Sequence, residues 1–269
     1  MKIGIISLGL IGGSILKALS GKGHELVVIS QTAGTIEKAK NYTPFATSNL
    51  DGLRDCELVF VCSPISKTIE ILDKLENIVS PNAIVTDVAS VKEFVMQKER
   101  PYVFIGSHPM AGTENSGFEA SFKELFEGAK WVITPKENEK RENIEILSKI
   151  IASTGADSIV ANATEHDRAV ALISHMPLIL SQALFKTTQN EHLAQKLASS
   201  GFRDMTRLAM SNTTMANDMV NYNGENIKKA LSLVFENTKI IDTAEYEEII
   251  KDIKTAREKM YSKDGKNIL

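Results

Sequence analysis

The chain holds 269 residues, 43% of them hydrophobic, which is more than one ordinary domain needs and predicts two lobes with cores of their own. A formal net charge of -3 and a pI near 6.0, with lysines and arginines scattered among acids, exclude the basic stripe that nucleic acid binding requires. Read by runs, no apolar stretch reaches membrane-spanning length and MKIGIIS enters a strand pattern without a charged leader, so a cytoplasmic protein with no membrane partner is expected.

Through the first half, short apolar runs alternate with helix-like segments. KIGIIS is followed by LIGGSILKALSGKG, ELVVIS by TIEKAKN, CELVFVCS by SKTIEILDKLENIV, and AIVTDV closes the series. Strands alternating with helices form right-handed βαβ units around a parallel sheet, with ligands at the carboxyl ends of the strands. YVFIGSH, KWVITP and DSIVA are expected to extend that sheet to residue 161, with a helix over KRENIEILSKIIASTG. The two cysteines, Cys56 and Cys62, lie in or beside an apolar strand, where buried thiols in a reducing compartment are common.

After Asn162 the β-branched runs give way to long apolar-periodic segments, ATEHDRAVALISHMPLILSQALF and NIKKALSLVFENTKIIDTAEYEEIIKDIKTAREKMY, which predict helices. Pro177 should kink or interrupt the first of these, because proline lacks an amide donor and clashes with the preceding turn. The expected division is a dinucleotide-binding lobe over 1–161 and a helical lobe over 162–269, with the closing KDGKNIL frayed.

The stretch IISLGLIGGS approximates the phosphate-binding turn G-x-G-x-x-G, with Ser7 in place of the first glycine, Leu8 between, Gly9 next, then Leu10 and Ile11, and Gly12 in the third place. The second glycine lets backbone approach a pyrophosphate and the third lets helix pack on strand; serine at the first is tolerable if its φ stays negative. The strand before and the helix after supply the context a lone glycine motif lacks. Cys62, Ser63 and Pro64, at the end of a later strand, complete the expected cofactor edge. At the end of the second strand, Ser30, Gln31 and Thr32 offer neutral hydrogen-bonding groups and no carboxylate, which admits a 2′-phosphate and favours NADP over NAD, although ordinary loop duty also accounts for them.

Further stretches stand out: TDVASVKE, GSHPMAGTE, HDRAVALISHMP and SSGFRDMTR. Ser90 with Glu93 three residues on reads as a helix capping box. Arg203 has Asp204 beside it for a local pair. His166 and His175 stand nine residues apart, on opposite sides of a regular helix, so at most one can face a cleft without a distortion; His175 is the choice, leaving His166 to cap or face solvent. No His or Cys spacing supports a metal site.

Together, GLIGGS, CSPI, TDVASVK, SHPMAGTE, HDRAVALISHMP and SSGFRDMTR resemble the prephenate and arogenate dehydrogenases of tyrosine biosynthesis over nearly the whole chain. The resemblance implies an α/β fold, an N-terminal Rossmann doubly wound parallel sheet plus an all-α C-terminal dimerisation domain, in a homodimer. It implies oxidative decarboxylation of a cyclohexadienyl acid with NAD or NADP. It makes His108 the acceptor of the substrate's ring hydroxyl and Ser90 the residue orienting it. Arg207 becomes the partner of a substrate carboxylate, with Arg203 and His175 also lining the pocket, and Gly201 falls in a loop reaching from the neighbouring subunit. An imidazole, with an ordinary pKa of about 6.5, suits His108's part.

Leu178 stands after Pro177 where prephenate-selective members often carry histidine, and Ala216 where some carry tryptophan; both departures favour arogenate over prephenate. Two other readings remain open from sequence, a β-hydroxyacid dehydrogenase or imine reductase and a non-catalytic nucleotide sensor. The first normally depends on a helical-lobe lysine that the ISHMP segment lacks.

Overall fold

Continuous apolar runs in the first half become strands buried on both faces. A computed structural model describes residues 1–261, so the tail expected at KDGKNIL lies outside the described residues. In chain order come β1 (Lys2–Ile6), α1 (Leu10–Leu19), β2 (Glu25–Ile29), α2 (Ala33–Ala39), β3 (Phe45–Thr47), β4 (Leu58–Val61), α3 (Ile65–Leu75), β5 (Ile84–Asp87), α4 (Glu93–Met96) and β6 (Val103–Phe104). The strands form one parallel sheet in the order β3-β2-β1-β4-β5-β6. Strands on the two sides of the β1–β4 junction are filled in opposite directions, which opens a crevice at the carboxyl ends of β1 and β4. Ile3, Ile5, Phe60 and Trp131 share an apolar cluster on one face of this sheet, and Val59, Val61, Leu72 and Val85 share one on the other.

The expectation that YVFIGSH, KWVITP and DSIVA extend this sheet holds for Val103–Phe104 of YVFIGSH and is corrected for the rest. β7 (Gly106–Pro109), β8 (Lys130–Thr134) and β9 (Asp157–Val160) form a separate sheet in that order, antiparallel then parallel, with α5 (Arg141–Ser153) between the last two. The chain leaves the first sheet just after Ile105, whose amide still bonds Val85 O at 3.0 Å. Beyond it, side chains take over from the backbone ladder: the Ser107 amide turns to Asp87 Oδ1 at 3.3 Å and Ser107 Oγ donates to Asp87 O at 2.7 Å.

The second lobe begins with α6 (Ala163–Val170), capped by the Asn162 side chain on the Glu165 amide at 2.8 Å. A single π-turn over Ala171–His175 leads into α7 (Met176–Thr188), with Pro177 in the first turn, so the predicted interruption falls immediately ahead of the proline. α8 (His192–Leu197), α9 (Ser200–Thr206), α10 (Thr213–Asn237, kinked at Asn223) and α11 (Tyr246–Met260) follow. The continuous helix 163–188 is, by length and composition alone, apolar enough to cross a membrane, which reading by runs did not register. It carries buried His166, Asp167 and His175, and packs against α9 and α10.

Candidate active site

At the mouth of the crevice, Ser7 adopts φ 69°, the left-handed region, where a negative value was expected. The β1-to-α1 turn demands that conformation, which is the reason glycine suits the position; a serine holds it at a cost of roughly 1 kcal/mol. Its amide bonds Ile29 O at 2.9 Å. Gly12 cannot be enlarged, because a Cβ there would lie 2.2 Å from Ser7 O and 3.0 Å from the Cys62 Cβ. A Cβ on Gly9 would meet nothing within 4 Å, and no side chain caps α1. An open glycine beside an uncapped helix N-terminus fits the pyrophosphate of a dinucleotide. Leu8 is buried in the core, while Leu10 and Ile11 are half-buried at the helix start.

Ser30, at the end of β2, accepts from the Thr32 amide at 3.3 Å, and Gln31 donates to Ser48 O at 3.2 Å. Both bonds shape the loop, leaving Gln31 and Thr32 exposed. At the β4 end, buried Ser63 pairs with Thr68 Oγ1 at 3.0 Å, and Pro64 opens α3. Cys62 packs against the phosphate loop, and burial pushes its thiol well above the usual range, so it serves as a neutral spacer.

Behind this edge, β7 carries His108. Beneath it, Lys92 Nζ bonds the Asp87 carboxylate and donates to Ser107 O at 2.7 Å, both charged side chains being wholly excluded from solvent. Ser107 Oγ gives its proton to Asp87 O and accepts from Thr86 Oγ1 and Trp131 Nε1, each at 3.0 Å, which exhausts its capacity. His108 Nδ1 lies 2.9 Å from His166 Nε2, and His166 Nδ1 lies 2.7 Å from Asp167 Oδ1. Burial first, then His166, Lys92 and His175, hold the His108 imidazole well below its ordinary pKa, so it is neutral at pH 7. Its Nε2 has no hydrogen-bond partner among the described residues.

His166 therefore neither caps the helix nor faces solvent; it is buried and touches His108. His175 is buried as well, its Nδ1 3.1 Å from Asn223 Nδ2, and its pKa is pushed down to about 4, chiefly by burial. Both histidines turn inward because the π-turn inserts one residue between them, cutting their angular separation from about 180° to roughly 80°. The Ser90 capping box is likewise overturned. α4 starts at Glu93 with no side-chain cap of its own, and its amides are held by Asp167, 74 and 75 residues away in sequence. Ser90, half-buried just past β5, makes no cap.

Arg207, Arg203 and Gly201 are exposed on α9 and the turn after it, which pack on α7. Among the described residues, Arg203 Nε reaches only Asp204 Oδ1, at 3.5 Å. Arg207 has no acidic partner among the described residues, and a single chain does not bring its guanidinium into contact with His108. Asp87, Lys92 and Asp167 are the residues that sequence reading missed, and His166 the one it misplaced. The signals were present: TDVASVK places an acid and a lysine five apart at a strand end, and EHD sets a histidine beside an acid.

The model of the prephenate dehydrogenase nucleotide-binding domain matches residues 15–160, and that of the prephenate dehydrogenase dimerization domain matches residues 162–267. A prephenate dehydrogenase of Bacillus subtilis is 29% identical over 286 residues, covering 98% of this chain and 71% of the relative. Synechocystis arogenate dehydrogenase superposes with a TM-score of 0.82 at 34% identity, covering 96% of this chain and 97% of that one. Prephenate dehydrogenase from A. aeolicus, solved in complex with hydroxyphenyl propionate and NAD+, gives 0.83 at 30% identity, with 96% and 97% covered. With two family models meeting across it and solved relatives matching nearly its whole length, the chain belongs to the prephenate dehydrogenase family.

Proposed function

We propose that this chain oxidatively decarboxylates arogenate, with prephenate as the alternative substrate, in tyrosine biosynthesis, and that NADP, with NAD as the alternative, is the dinucleotide it uses. The observation that carries the reading is His108: a neutral imidazole tied at Nδ1 and unengaged at Nε2, behind an open phosphate-binding turn. Ser7 to Gly12 and Cys62 to Pro64 would hold the dinucleotide, whose nicotinamide accepts the hydride when bound. His108 Nε2 accepts the ring-hydroxyl proton as hydride leaves the same carbon, and aromatisation follows loss of the carboxylate as CO2. Ser90, with no cap to make, is free to orient His108 and the nicotinamide.

For NADP, the supporting feature is the absence of a carboxylate from Ser30, Gln31 and Thr32. For arogenate, it is an apolar Leu178 after Pro177, buried against Ala171, Met219 and Ile227 with Ala216 packed alongside. Arg207, assisted by Arg203, His175 and the Gly201 loop, is assigned to substrate carboxylates in a homodimer. Support for that dimer is the apolar surface of the helical lobe, including Leu197, Phe235 and Ile241, which no described residue covers. The lobe boundary is placed at residues 161 and 162 and the enzyme in the cytoplasm. Family membership removes the β-hydroxyacid dehydrogenase and sensor alternatives.

Initial rates for both acids crossed with both dinucleotides, read by absorbance of the reduced nicotinamide, test the choices of substrate and cofactor. His108→Asn should cut turnover by about 100-fold or more while leaving dinucleotide affinity intact. Turnover within a few-fold of wild type would remove His108 from this part.

A further inference from the structure

One carboxylate of the helical lobe is engaged three times. Asp167 Oδ1 accepts from the Lys92 amide at 2.7 Å and from His166 Nδ1 at 2.7 Å, and Oδ2 accepts from the Glu93 amide at 2.9 Å. The two amides belong to the first lobe and open α4. The Asp167 carbonyl accepts from Asn223 Nδ2 at 2.8 Å, at the kink of α10. Asp167 is thus gripped from both lobes, and it is almost wholly buried.

An ionised carboxylate accepts and never donates, so the proton in the His166–Asp167 bond sits on His166 Nδ1. With that proton on Nδ1, the donating tautomer of His166 carries its lone pair on Nε2, facing His108 Nδ1. His108 Nδ1 must then donate across the 2.9 Å contact. With its one proton at Nδ1, His108 keeps its lone pair on Nε2, the atom that has to take the substrate proton. Were His166 to donate instead, His108 would present an N–H at Nε2 and could accept nothing.

We infer that Asp167, acting through His166, is a positioning residue that fixes the His108 tautomer, and that docking of the two lobes sets it, since the same carboxylate closes α4. The inference rests on His108 being the proton acceptor proposed above. In the step itself the substrate O–H bond breaks and an N–H bond forms at His108 Nε2, while a bound nicotinamide would take the hydride released as the C–H bond of the same carbon breaks. The resulting imidazolium keeps its Nδ1–H donated to His166 Nε2 until the Nε2 proton leaves to water.

The test uses the full-length protein, dinucleotide-bound and labelled with 15N at histidine, which gives five imidazoles to assign. Wild type should show His108 protonated at Nδ1. Asp167→Asn and His166→Leu should give a tautomer mixture at His108 and lower kcat roughly 10- to 100-fold with KM nearly unchanged. His166→Gln, whose Oε1 can accept where Nε2 did, should recover most of the rate. Wild-type His108 protonated at Nε2, or His166→Leu with wild-type kcat, overturns the inference. Should Asp167→Asn not fold, the wild-type spectrum and His166→Leu still decide. His108→Asn, run in parallel, separates the two readings: turnover surviving there removes the acceptor, whereas the tautomer is read from the spectrum alone.

Discussion

The two lobes solve burial differently. In the first, Trp131, Phe60, Phe126 and the central isoleucines are fully enclosed by their own chain on both sides of a sheet. In the second, the enclosed apolar cluster is Ala171, Leu178, Met219 and Ile227, while Leu197 and Met210 stay 71% exposed and Ile241 70%. α11 buries no residue at all. Burial contributes about 25 cal/mol per Å² of apolar surface, so the first lobe carries its stability within one chain, and the proposed dimer would supply what the described residues of the second leave unburied.

The sharpest way to break that contrast is to disturb the first lobe's buried charges. Asp87→Ala leaves Lys92 buried without its counterion and should cost about 3–5 kcal/mol in urea unfolding, independent of protein concentration. Acid should act next, and mainly on the second lobe. His175 is neutral in the fold with a pKa near 4, so the unfolded chain binds more protons below pH 6.5. Stability is whole above about pH 6.5 and falls by roughly 3 kcal/mol as pH drops to about 4. His108 shifts in the same direction and adds to the loss. Thermal melts at stepped pH would show it, and a flat profile between those limits would contradict it.

Ile241→Glu should weaken association by about 10- to 100-fold, from about 1.5–3 kcal/mol of lost side-chain burial, seen as a concentration-dependent midpoint in sedimentation. An unchanged sedimentation profile would place the interface elsewhere. The smallest effect belongs to the phosphate turn: Ser7→Gly should raise stability by about 0.5–1 kcal/mol by relieving a positive φ, without dependence on concentration.

Elements set by periodicity were legible. Strands β1, β2, β4 and β5 and helices α1, α3 and α5 fall where alternating runs and helical spacing put them. The three-residue β3 carries too little pattern to be read at all. YVFIGSH looks like one strand because the apolar run is unbroken, yet Asp87 and Lys92 draw Ser107 away from the first sheet. The Ser90–Glu93 spacing satisfied a local rule and lost to a carboxylate supplied from the other lobe. His166 was misplaced because a regular helix was assumed where a π-turn lies, and only Pro177 hinted at the irregularity. Local chemistry reads forward from sequence; contacts between residues more than 70 positions apart do not.

Trp131 is the chain's lone tryptophan, buried behind the strand that bears His108 and bonded to Ser107 Oγ. Its emission overlaps the absorption band of a reduced nicotinamide. Nature has thereby installed an optical gauge a few residues from the chemistry. Quenching of that single fluorophore would time formation and release of the reduced dinucleotide without any added label.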